Sequence, residues 1–322
     1  MSKSNVGGQA VIEGVMMKNE DLYAVAIRKP DNEIIIDKKE YVSLTKRFKF
    51  LGIPLIRGIV AFGESMVMGM KILTYSAEFF EVDDVEESKF DQWIAKTFGD
   101  KADSVIVGIS VVLAMIMAMG LFVLLPLGLS QLMKPLFPAD MSWLVNFADG
   151  IIRVVVLLLY ITAISKMKDI QRVFQYHGAE HKSIHCYESG LELTVENARK
   201  QTRMHKRCGT SFLLYVVVIS VFVLTLVNPS TLWMRFVARI ILLPFIAGLS
   251  YEVLKLLGNS SSKVLDIFTK PGLMLQRMTT QEPDDSQLEV ALASLKAVLY
   301  ETADETETKS ESEDRLELAD EL

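Results

Sequence analysis

The chain has 322 residues, half of them hydrophobic, with a mean hydropathy of +0.29. Its formal net charge of −6 speaks against a basic nucleic-acid footprint, and two cysteines cannot build a disulfide framework. The apolar excess is gathered in blocks, which points to a membrane protein with a cytosolic part.

Residues 1–50 read as a small cytosolic β-rich module. The runs Gln9–Met17, Leu22–Arg28 and Glu33–Ser43 are rich in β-formers, and Lys29-Pro30-Asp31-Asn32 has turn chemistry. That predicts a sheet of two or three strands, marginal alone and in need of a docking surface. No apolar signal core opens the chain, so insertion is expected to rely on internal segments. Residues 51–103 hold an apolar stretch in which Arg57, Glu64, Lys71 and Glu78 recur every seven residues. Charges spaced so share one helix face, predicting an amphipathic helix along the membrane or packed on it, then an acidic connector, Glu81–Asp91.

Residues 104–165 contain a first transmembrane pair. Ser104–Leu125 carries no formal charge and is expected to end at Pro126. Trp143–Ser165 follows, with Asp149 and Arg153 one turn apart and placed to pair. Residues 210–257 form a second hairpin, Thr210–Val227 and Leu232–Leu257, joined by Asn228-Pro229-Ser230. The loop 127–142 has Lys134 as its only base, whereas 166–209 is rich in lysine and arginine. The positive-inside rule therefore places 166–209 and both termini in the cytosol. Residues 258–300 read as a cytosolic segment ending in an amphipathic helix, and the acidic tail 301–322 as disordered. The expected fold is mainly α and polytopic: about four transmembrane helices, an interfacial helix, a small N-terminal sheet and a cytosolic helical hairpin.

All four histidines and both cysteines lie between His177 and Cys208. At about 100° per residue, His177, Glu180, His181, His185 and Glu188 share a helical sector of about 140°. Gly190 suits the end of that helix, which is expected to begin near Gln171. Thr194 can cap a second helix from about Val195 to Lys206, bringing His205 and Cys208 toward the membrane surface. His177-x-x-Glu180-His181 has the arrangement in which an i,i+4 pair binds zinc while the glutamate acts as base. Imidazoles with a carboxylate favour zinc over iron or manganese, with Cys208 a better ligand candidate than Cys186. The bland alternative is a polar face on a helix beside the membrane. Glu252, an unusual acid inside span four, is either a distant ligand or a core hydrogen-bonding group.

The runs Gly7–Met17, Tyr176–Glu188 and Arg207-Cys208-Gly209-Thr210-Ser211, with Leu273–Leu299, resemble the YqhQ-like family. These are uncharacterised bacterial membrane proteins described as predicted metal-dependent enzymes, and the likeness covers about residues 5–300. The resemblance draws attention to Glu13, on a glycine-flanked strand, which either closes over the metal loop or pairs with one of its bases. The leading expectation is a cytosol-facing metal site at the bilayer surface. Hydrolysis there would use His177, His181 and His185 or His205 as ligands, with Glu180 as base. The rival is a scaffold or regulator whose cytosolic loops bind a protein partner. A transporter relying on Asp149, Arg153 and Glu252 is the weakest of the three.

Overall fold

In the computed structural model, the structure describes residues 6–80, 89–99, 102–138, 141–227, 231–260 and 262–300. Part of the acidic connector, the 228–230 turn and the acidic tail fall outside them.

The N-terminal module is a four-stranded antiparallel meander of β1 (Gly7–Val11), β2 (Gly14–Asn19), β3 (Leu22–Arg28) and β4 (Ile34–Glu40). The expected sheet was one strand smaller because Gln9–Met17 is a hairpin, not a single run. Val11 pairs with Gly14, and Glu13 takes a left-handed φ of 49° at the turn between them. The turn at Lys29–Asn32 forms as expected, with Asn32 N–H donating to the Lys29 carbonyl.

Alternate residues of the sheet enter two separate cores. Val15, Met17, Ala24 and Ala26 face α7 (Lys168–Glu188) and α12 (Asp285–Leu299). Val11, Met16, Val25 and Ile27 face the other way, toward Ile72. In α12, Leu288, Ala291 and Leu295 recur at helical spacing and are fully buried. Burying each leucine contributes about 1.5–3 kcal/mol, so the sheet depends on this helix for its core. An Asp284–Gln287 capping box fixes where α12 starts.

A short α1 (Leu44–Arg47) leads to α2 (Ile56–Ala77). Gly58 of α2 lies against Gly248 and Tyr251, where an added Cβ would come within 2.8 Å of the Gly248 carbonyl. Arg57 forms a forked ion pair with Glu252, whose Oε1 also receives the Leu55 N–H. Glu252 thus has the role of a helix-packing acid and stands in no metal-competent group.

After α3 (Lys89–Phe98) come, among the described residues, four helices long and apolar enough to cross a membrane: Val105–Leu132, Trp143–Ile164, Gly209–Leu226 and Trp233–Asn259. The first runs past Pro126 instead of ending there. A π-helical turn at Gly120–Leu124 joins α4 (Ala102–Met119) to α5 (Leu125–Leu132), with Leu125 N–H bonded to the Gly120 carbonyl. The wider turn absorbs a proline that has no N–H and would crowd the carbonyl four residues back. The others belong to α6 (Ser142–Ile164), α9 (Gly209–Leu226) and α10 (Leu232–Asn259).

Helix α7 ends as expected, with Gly190 at a φ of 68°. The second helix expected in the 166–209 loop is much shorter than the sequence suggests: α8 spans only Val195–Arg199, under the expected Thr194 cap. From Arg203 to His205 the backbone bonds to side chains of other segments, and those contacts replace a helical ladder. Helix α11 (Lys263–Thr279), not foreseen in the sequence, packs on α9 through Gly272 and Gln276.

Candidate metal centre

The expected ligands separate into two groups, His177 with His181 and Cys208, and His185 with Glu188 and His205. Within each, the ligand atoms lie within 4.8 Å of one another. Helix α7 supplies residues to both because an i,i+4 series keeps one face. Cys208 comes from the N-cap of α9, where its sulfur accepts the Thr210 N–H at 3.4 Å.

Hydrogen bonds assign the tautomers in the first group. A carbonyl oxygen only accepts, so His177 Nδ1 donates to Thr279 O at 2.9 Å and His181 Nδ1 to Arg203 O at 2.6 Å. Both Nε2 atoms of neutral rings are then lone pairs. His177 Nε2 stands 3.1 Å from Cys208 Sγ, and His181 Nε2 is buried without a hydrogen-bond partner. The two rings meet edge to face at 4.5 Å. Imidazoles clamped at one nitrogen by carbonyls, with the other nitrogen turned to a thiol, have the outer-shell arrangement of metal ligands. Burial holds the His181 pKa below its usual value, keeping the ring neutral and ligand-competent.

The second group is bonded differently. His185 Nε2 donates to Met204 O at 2.9 Å. His205 Nδ1 accepts the Arg207 N–H at 3.3 Å, so its Nε2 carries the proton that faces Glu188 Oε2 at 3.4 Å. The Arg207 guanidinium also grips Glu188. This set resembles a hydrogen-bonded His–Glu pair more than an open ligand set. Burial is the main cause lowering the pKa of both His185 and His205. The group lines a cleft of about 310 Å³, with Lys206 and Arg207 on its wall. His205 bridges the two groups, its ring 5.6 Å from His181 and 4.8 Å from His185.

Two expected participants stand elsewhere. Glu180 faces the sheet: a Cβ on Gly8 would touch its Cγ at 2.8 Å, and it joins neither ligand group. Burial raises its pKa to about 7, against the pull of the His177 charge and the Gly8 amide. Glu13 is held by both Arg172 and Tyr176, so of the two roles considered it takes the pairing with a loop base. Cys186 is buried beneath the Glu192 carbonyl, in the hydrophobic core.

Sequence reasoning missed the groups that position the ligands. Gln276 brackets the His205 backbone, accepting its N–H and donating to its carbonyl, each at 2.8 Å. The Thr279 and Arg203 carbonyls carry no side-chain signature. Only the unusual burial of a glutamine in α11 could have pointed there, and that is invisible in the sequence.

Residues 53–301 match the model of a protein family of unknown function, DUF1385. The chain belongs to that family. It is also 39% identical over 310 residues to the uncharacterised protein YqhQ of Bacillus subtilis (strain 168), covering 93% of this chain and 95% of that one. No solved structure matches.

Proposed function

We propose that this family member is a membrane-embedded, metal-dependent hydrolase whose metal is held by His177, His181 and Cys208 at the cytosolic membrane surface. The observation that carries the reading is the pair of ring nitrogens left without protons, facing Cys208 Sγ, one of them buried and unpartnered. Two imidazoles and a sulfur fit zinc, and three protein ligands leave a fourth position for a reacting group. When bound, zinc would supply Lewis-acid activation in that position. Glu180, facing the sheet, is poorly placed as base; proton transfer falls instead to His205 and Glu188, beside the cleft. The surplus of basic residues in 166–209 favours the cytosolic side.

A second reading has support of its own. His181 is 1% and Cys208 8% exposed, an enclosure that suits a structural metal clasping α7 to α9.

Metal content of the purified protein, by elemental mass spectrometry, tests the site. About one metal per chain is expected, lost in His177→Ala and His181→Ala and kept in His185→Ala; a metal-free wild type sinks the proposal. Acetohydroxamate added to the cobalt-loaded protein then separates the readings. A changed visible spectrum supports an open coordination position, and an unchanged one supports the clasp.

A further inference from the structure

At the opposite end of the helical bundle, all four candidate spans contribute to one polar cluster that the metal centre does not use. Asp149 lies seven residues into α6 and Arg239 seven residues into α10, about 10 Å from those helix ends at 1.5 Å per residue. Both ends are remote from the histidine site, since α7 follows the far end of α6 and Gly258 of α10 lies against Arg207.

The charges do not balance. Asp149 Oδ2 lies 2.7 Å from Arg153 Nη2 as an ion pair and accepts a hydrogen bond from Arg239 Nη2 at 2.8 Å, so one carboxylate serves two guanidiniums. Its other oxygen receives the Ser130 hydroxyl at 3.4 Å. Side-chain exposures are 4% for Asp149, 10% for Arg153 and 9% for Arg239. An unbalanced charge at this depth in a bilayer is costly unless something of opposite sign meets it.

The unmet hydrogen bonds have one sign as well. Arg153 Nη1 donates to Ser220 Oγ at 3.1 Å and Arg239 Nη1 reaches the Val123 carbonyl, in the π-helical turn, at 3.5 Å. Arg153 Nε, Asn146 Nδ2 and Gln131 Nε2 are buried donors without partners. Asn146, Asp149 and Arg153 sit at i, i+3 and i+7, on one face of α6. No oxygen acceptor of this region is left without a partner among the described residues.

Excess positive charge and orphaned N–H donors call for an anion with several acceptor oxygens. We propose that this cluster is a binding site for a phosphate-type oxyanion within the helical bundle. Guanidinium forks match the geometry of such an oxyanion. The chemistry is common to a lipid phosphate and a free phosphate ion. The site is separate from the metal centre and does not depend on it.

The test is the thermal unfolding midpoint of the delipidated full chain in detergent, titrated with inorganic phosphate, dihexanoyl phosphatidate or dihexanoylglycerol. A saturable rise with inorganic phosphate supports a free-oxyanion site. A rise with phosphatidate alone supports a lipid head group. Arg153→Gln and Arg239→Gln should weaken binding about tenfold or more, the loss of one charge-assisted hydrogen bond. If those variants do not fold, Asn146→Leu removes one orphan donor and should weaken binding while sparing the ion pairs. Asp149→Asn should bind at least as tightly as wild type, because it removes a carboxylate competing for the arginines. The proposal is overturned if no phosphate probe shifts the folded wild type, or if dihexanoylglycerol matches phosphatidate. It is equally overturned if Asn146→Leu and the arginine variants that fold bind undiminished; the cluster is then interhelical glue only.

Discussion

His177 Nε2 stands 3.1 Å from Cys208 Sγ although 31 positions separate the two residues. Helix α7 brings one and the N-cap of α9 the other, so the contact ties the 166–209 segment to the start of a candidate span. If a metal sits between them, cobalt substitution should give a sulfur-to-cobalt charge-transfer absorption. That absorption is expected in wild type and in His185→Ala and absent in Cys208→Ala. Its absence from cobalt-loaded wild type would exclude the sulfur as a ligand.

Glu180 gives a pH signature to the metal-free protein. Burial raises its folded pKa to about 7 from 4.5, so the folded state holds the proton more tightly than the unfolded one. The stability that Glu180 contributes is therefore fullest below about pH 4.5, declines as pH rises, and levels off above about 7, a loss on the order of 3 kcal/mol. Glu180→Gln should flatten that decline. Unfolding midpoints of both proteins from about pH 5 to pH 8 check it, and equal slopes would count against a buried, proton-retaining Glu180.

Gly178 sits between the two histidines on α7 with the 279–283 segment pressed against it. A Cβ there would fall 2.1 Å from the Gln281 carbonyl oxygen, a backbone atom that cannot swing aside. Gly178→Ala should displace that segment and with it the Thr279 carbonyl that holds His177 Nδ1. We expect metal affinity to fall about tenfold or more, as when an outer-shell partner is lost. Stability should fall by about 1–3 kcal/mol from overpacking. Gly108→Ala, which meets nothing within 4 Å, should change neither. Metal titration and chemical unfolding of both variants measure the difference.

The sequence was informative wherever a property is carried by a run of residues. Long apolar stretches marked the four long helices, and a glycine with positive φ closed α7 where its position suggested. It was uninformative where one backbone conformation decides. Nothing in Glu13 announces a left-handed turn, so two strands read as one; nothing in Pro126 distinguishes a stop from a π-helical turn. Helical arithmetic placed Glu180 at the edge of the histidine sector. It could not show that β1 would cover that edge and draw the acid away. The division of the ligands into two groups depends on carbonyls of Arg203, Met204 and Thr279, and backbone atoms have no letter in a sequence.

One shared core also fixes a count. Val15 and Ala24 of the sheet, Tyr176 and Ile184 of α7, Ala198 of α8, and Leu288 and Leu295 of α12 belong to the same hydrophobic cluster. They must lie on the same side of any bilayer. The chain between the sheet and α7, and again between α8 and α12, therefore crosses an even number of times. The four long helices satisfy this in two pairs; a crossing by α2 would make the first number odd. Yet α2 lies beside α10 at Gly248, well inside that helix, with Phe62, Met66, Val67 and Met70 exposed along its flank. With both helices of the first pair crossing, parity excludes α2 as a fifth crossing, whichever compartment the shared core occupies, and its two ends share one face of the bilayer.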